Sequence, residues 1–269
     1  MLEIIKETVS FIKNEIDFQP DTGIILGTGL GEMVKEIEKH HIINYEDIPN
    51  FPVSTVEGHH GKLIFGTING KKVIAMQGRF HYYEGYTPQQ VTFPVRVMKF
   101  LGIRYLFVSN ASGGVNPDFA IGDLMIISDH INLIPNPLIG KHYPEYGVRF
   151  PDMSDTYDKE LINKAMEIAQ KNNISVKQGC YVATTGPTLE TPKEYEYFTT
   201  IGGDTVGMST VPEIIVAHQM GIICFAISII TDLGIPGKII KVTIEDVQKV
   251  AGEAEPKMTL IMKELIAGL

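Results

Sequence analysis

Six short stretches gather the polar side chains that could do chemistry. Gly27-Thr28-Gly29-Leu30-Gly31 follows an apolar run, so it can turn tightly and present N–H groups to an anion. It is not the dinucleotide fingerprint, because Glu32 stands where a further glycine is needed, and no Lys follows as in a Walker loop. Alone, it also serves as a plain turn. In Gly78–Tyr86, Arg79 offers a planar fork suited to phosphate, and on an extended chain Arg79, His81 and Tyr83 share one face. A polar loop with packing aromatics is the plainer reading. Ser109-Asn110-Ala111-Ser112-Gly113-Gly114 supplies small residues after a strand, where α/β sheets admit ligands. Glu190 lies among turn residues ahead of a helix and suits either binding or capping. Ser209, in Val206-Gly207-Met208-Ser209-Thr210, is an anion donor or an N-cap. Asp232 ends the most apolar run, where a carboxylate is costly unless paired, bound or protonated.

The elements that must position these groups follow from periodicity. Apolar residues at helical spacing mark helices over 3–16, 32–39, 89–101, 159–171, 193–201 and 211–220. A further helix near the C-terminus is expected to break or restart at Pro256. Short β-branched runs at 23–26, 63–68, 73–76, 105–108, 124–128, 181–184 and 222–230 lack strict alternation, as strands covered on both faces do. Strands alternating with helices imply an α/β protein with a parallel or mixed sheet. The Pro-rich stretch 132–154 is long enough to suggest a functional loop.

Composition narrows the function. The chain has 269 residues, 44% hydrophobic and 20% charged, which excludes disorder. With 23 Lys+Arg against 32 Asp+Glu and a net charge of −9, a nucleic-acid surface is disfavoured. Cys180 and Cys224 are too few for a disulfide framework, and no metal-binding His/Cys/Asp cluster or Gly-x-Ser-x-Gly elbow occurs, so no metal is expected. The first residues mix acidic with apolar side chains, unlike a leader, and the apolar run 221–230 is shorter than the ~18–20 residues of a membrane span. A cytoplasmic protein without a membrane partner is expected.

Taken in order, GTGLG, VEGHHGKL, GRFHYYEGY, NASGG, RFPDMSD, TGPTLETP, VGMSTVPE and ISIITD closely resemble the trimeric purine nucleoside phosphorylases, in the family shared with 5′-methylthioadenosine phosphorylases. The resemblance spans Gly27 to Asp232. It implies one domain over 1–269, a mixed twisted sheet partly closed into a barrel and flanked by helices, and a homotrimer. No cofactor is implied; inorganic phosphate is a substrate. Phosphate would be held by Thr28, His59, Arg79, His81, Ser209 and the backbone of Ala111. Leu189, Glu190, Val206, Gly207 and Asp232 would line the purine. Tyr83, Tyr181, Met208 and Ile244 would meet the ribose, with Tyr146 lent by a neighbouring subunit. His81, Glu190 and Asp232 would be catalytic. The implied reaction is attack of phosphate on the anomeric carbon of a purine nucleoside, releasing the base and pentose 1-phosphate.

Two positions depart from the pattern. Asp232 stands where relatives acting on 6-oxopurines usually have Asn, which points to a raised pKa or to tolerance of 6-aminopurines. Ile244 stands where relatives often have His near the 5′-hydroxyl. Together they make a methylthioadenosine or methylthioinosine phosphorylase the alternative. A hydrolase, a non-catalytic nucleoside binder and a dinucleotide oxidoreductase give no role to the combined anion and base residues.

Overall fold

The computed structural model describes residues 1–27, 31–53 and 61–269. In chain order it contains α1 (Leu2–Glu15), β1 (Thr22–Leu26), β2 (Glu38–Asn44), β3 (Lys62–Ile68), β4 (Lys71–Gln77), α2 (Pro88–Val91), α3 (Phe93–Leu101), β5 (Tyr105–Gly114) and β6 (Leu124–Asn132). There follow α4 (Lys159–Lys171), β7 (Val176–Ala183), α5 (Pro192–Thr200), β8 (Thr205–Gly207), α6 (Val211–Gln219), β9 (Ile223–Leu233) and α7 (Ile244–Ala267).

The strands pair in the order β2-β3-β4-β1-β5-β8-β7-β6-β9, and β9 also pairs with β5. That second pairing closes β5, β8, β7, β6 and β9 into a five-stranded mixed barrel, with β1, β4, β3 and β2 as outside strands. β5 belongs to both parts. Its first residues, Tyr105 to Val108, lie parallel to β1, and Gly113 and Gly114 lie antiparallel to β8. β9 runs parallel along its whole length. Between Ser109 and Ser112 one edge of β5 therefore has no strand partner among the described residues. Such a fork, where neighbouring strands diverge, is where α/β sheets open a crevice.

The local chemistry explains the elements. β1 is buried at every residue, as its unalternating sequence requires. α4, α5 and α7 begin at Asp158, Thr191 and Thr243, whose side chains each accept an amide of the first turn. α1 packs on α3, and α4 on α7.

Four expectations are corrected. Residues 32–39 do not form one helix: a short 3-10 turn spans Glu32–Glu36, and the charged, largely exposed β2 follows as an edge strand. The helix expected over 89–101 is interrupted at Thr92, because Pro94 has no N–H for the carbonyl of Gln90. Pro256 does not break α7. It sits on the exposed side, and the carbonyl it leaves unbonded belongs to exposed Gly252, which water can serve. The small residues Ser109–Gly114, expected to follow the strand of 105–108, instead continue it as β5.

Candidate active site

Arg79 follows β4 and enters the fork beside β5. It is 1% exposed. Its Nη2 donates to the carbonyl of Ser109 and, at 3.3 Å, to that of Ile25, while Nη1 donates to Thr210 Oγ1 at 3.1 Å. Glu213, also buried, lies 3.7 Å from the guanidinium. A cation this deep would be prohibitive without such a counter-charge.

Thr210 joins the network together. Its hydroxyl also accepts from Asn110 Nδ2 at 2.9 Å and lies 3.2 Å from Ser209 Oγ. Asn110 Oδ1 in turn accepts from Ser228 Oγ at 2.6 Å. Thr210 has φ +69°, a conformation a β-branched residue adopts only under constraint. That turn brings Ser209 up beside Arg79 at the start of α6. The Ser209 amide faces the Tyr181 hydroxyl at 3.5 Å. Gly207 is required here, since a Cβ would stand 2.1 Å from that hydroxyl.

His81 is buried, and Nδ1 lies 2.9 Å from Glu84 Oε1, which also accepts the His81 amide at 2.8 Å. A carboxylate only accepts, so Nδ1 carries the hydrogen. Burial holds the imidazole below its usual pKa, which favours the neutral ring. Tyr83 stacks on it at 4.7 Å. The shared face expected from an extended chain is not the cause, because residues 82–84 form a 3-10 turn and the contact is ring on ring.

The other half of the site is carboxylate-rich. Asp232, near the end of β9, accepts from Thr231 Oγ1 at 3.0 Å and sits across from Gly113, where a Cβ would lie 2.9 Å from Oδ2. Glu190 accepts from Thr184 Oγ1 at 3.2 Å. Burial raises the pKa of both, and the Asp232 charge raises Glu190 further. The same two carboxylates, after burial, push up the phenol of Tyr195 on α5. Acids so close favour a state in which one keeps its proton. Gly207 ends β8, and the thioether of Met208 just after it leaves no room for a side chain at Gly186.

The remaining expected residues fall out as follows. Val206 is buried with Val182, Tyr195 and Phe198 in a small apolar cluster, and Tyr181 is wholly buried, so neither offers an open surface. Ala111 lies on β5 opposite Ile229. Leu189 and Ile244 are exposed. Thr28 and His59 lie outside the described residues. Tyr146 is corrected: it is 4% exposed, with the Arg96 guanidinium over its ring at 4.0 Å, so its own chain encloses it. The exposed aromatic of that loop is Phe150, at 87%.

Sequence reasoning did not single out Thr210, Asn110, Glu84 or Glu213. An acid inside the otherwise apolar Val211–Ala217 was the available signal for Glu213. It also missed Glu255 of α7, buried and pushed up to about 7 by burial, which takes the Glu32 amide at 2.5 Å. The amide after the glycine loop is thus already committed. Among the described residues no group of His, Cys, Asp and Glu could hold a metal, and no helix is long and apolar enough to cross a membrane.

Known proteins share this arrangement of elements. The family model of the phosphorylase superfamily matches residues 21–267. Purine nucleoside phosphorylase 1 of Bacillus subtilis is 54% identical over 233 residues, 86% of this chain and 86% of its own length. Isoform 2 of purine nucleoside phosphorylase from Schistosoma mansoni, in complex with cytosine and ribose-1-phosphate, superposes with a TM-score of 0.95 at 41% identity, covering 99% of this chain and 96% of that one. A Schistosoma mansoni purine nucleoside phosphorylase in complex with adenosine superposes at 0.94 with 40% identity, covering 99% and 97%.

Proposed function

The chain belongs to the phosphorylase superfamily, among its purine nucleoside phosphorylases, and from that premise we propose how its residues carry out phosphorolysis. Phosphate attacks the anomeric carbon of a purine nucleoside. The C1′–N9 bond breaks, its electron pair passes to the purine, and the products are the free base and pentose 1-phosphate.

Arg79, His81, Ser209 and the Ala111 backbone hold the phosphate, with Thr28 and His59 completing that end. The transition state is oxocarbenium-like, so a phosphate fixed beneath the sugar stabilises its positive charge. Tyr83, Met208 and Ile244 border the ribose. Tyr181 acts from behind, holding the Ser209 turn. Glu190 accepts from the N1/N2 edge of the purine, beside Leu189, Val206 and Gly207. Asp232 in its protonated form donates to N7, where negative charge grows as the base leaves. One observation carries this reading: Arg79, Ser209 and Asn110 meet on the single hydroxyl of Thr210, while Asp232 lies near enough to Glu190 for its charge to raise the Glu190 pKa.

Asp232 also favours a second use of the site. Ionised, it accepts from a 6-amino group, so adenosine is turned over beside inosine, and exposed Ile244 makes the 5′ position tolerant of an apolar substituent such as methylthio. The assembly is a homotrimer of one-domain chains, in which exposed Phe150, rather than Tyr146, is offered to the neighbouring site. Incubation with inosine, guanosine, adenosine and methylthioadenosine, with and without phosphate, tests the proposal by product identification. Free base plus pentose 1-phosphate, formed only with phosphate, is expected; base plus free pentose without phosphate would make the protein a hydrolase.

A further inference from the structure

A second cleft, of about 270 Å³, lies at the opposite end of α6 from Ser209, lined by α3, Gln219 and the loop from Pro137 to Arg149. Its deepest charged group is Arg96, 94% buried (relative exposure 6%). Unlike Arg79, Arg96 has no carboxylate within ion-pair distance among the described residues. Its partners are the Tyr146 ring at 4.0 Å and two long contacts of 3.4 Å to Gln219 Oε1. Tyr146 also lines the cleft, and its hydroxyl is buried with no hydrogen-bond partner among the described residues. Lys141 and Arg149 bring two more cations to the rim, His142 joins them, and no Asp or Glu is among the described lining residues.

A buried guanidinium without a counter-charge, beside an unsatisfied phenol, is expensive in a chain whose net charge is −9. The chain has 32 Asp and Glu carboxylates, yet none of the described ones lines this cleft. We propose that this cleft is a second anion site, taking a phosphate group, free or carried on a small metabolite, with Arg96 as the forked donor, the Tyr146 hydroxyl as a further donor and Lys141 at the mouth. The planar fork matches two oxygens of a tetrahedral oxyanion, and the volume leaves room for a small organic part. The site is separate from that of the reaction, since α6 stands between them.

Equilibrium dialysis with radiolabelled inorganic phosphate, and separately with glycerol 3-phosphate, counts the sites. The intact protein is expected to bind two phosphates per chain. Ser209→Ala should keep the second, and Arg96→Gln should lose it. Lys141→Ala, on the surface, should weaken it by about threefold or more while leaving turnover of inosine unchanged. If Arg96→Gln fails to fold, Lys141→Ala decides alone. Glycerol 3-phosphate bound in place of the second phosphate assigns a carried phosphate group; its exclusion assigns the free ion. One phosphate per chain, or a second that neither variant weakens, overturns the proposal. So does a change of oligomeric mass in Lys141→Ala with only one phosphate bound, which would give the cleft to a neighbouring subunit.

Discussion

The two ends of the site solve the problem of charge in opposite ways. At the phosphate end, Arg79 is a permanent cation, fixed by Glu213, two backbone carbonyls and Thr210. At the purine end, Glu190 and Asp232 are partly enclosed with no cation beside them among the described residues, and burial raises both. The first holds its charge by a counter-charge and hydrogen bonds; the second changes state with a proton. A substrate that stays anionic needs the former, and a leaving group that gains charge only as its bond breaks is served by the latter.

The largest break in this contrast comes from Arg79→Met. It removes the cation and strands Glu213, so kcat/KM should fall by about 10³-fold and stability by roughly 3–5 kcal/mol, read by steady-state kinetics and urea unfolding. A fully active, stable variant would show that the phosphate end is built otherwise. Glu190→Ala should lower kcat/KM for inosine by about 10²-fold and leave the KM for phosphate unchanged, because the two ends are separate. Ser209→Ala should do the reverse, raising the KM for phosphate by about tenfold, the worth of one hydrogen bond to a charged group.

Asp232→Asn sharpens the comparison. Below its raised pKa, Asp232 is neutral and donates to N7; above it, the ionised group repels a 6-oxopurine. Turnover of inosine should therefore fall as pH rises through that pKa, and the variant should flatten the fall while losing adenosine turnover. Identical pH profiles in the two proteins would contradict this.

The smallest effect separates a third titration from these. Glu255, raised from 4.5 to about 7, favours the folded state when protonated. Its contribution is complete below the unfolded value and is lost as pH rises through about 7. Glu255→Gln should melt a few degrees above the parent at pH 8 and level with it at pH 4. An equal difference at both pH values would show that Glu255 does not titrate in this window.

Much of this was legible in residue order. Asp232 at the end of an apolar run and Arg79 after a β-branched one are chemically costly placements, and cost is visible without coordinates. Glu190 stood out among turn residues. What was hidden depends on distant pairing or on backbone shape. Thr210 is a hub only because its φ is positive and because Arg79 and Asn110 arrive from other strands. The edge strand β2 carries charges that obscure its period, and closure of the barrel rests on β5 pairing twice. Tyr146 and Phe150 share one loop, and only burial tells which of them faces outward.

The central claim is that remote segments grip phosphate at one end of a single site and a purine at the other. A crystal structure with phosphate and hypoxanthine tests it most directly. Phosphate oxygens within hydrogen-bond distance of Arg79, His81 and Ser209, with the purine against Glu190 and Asp232, is the result predicted. A purine bound away from both carboxylates, or phosphate absent from the Arg79 fork at saturating concentration, would contradict it.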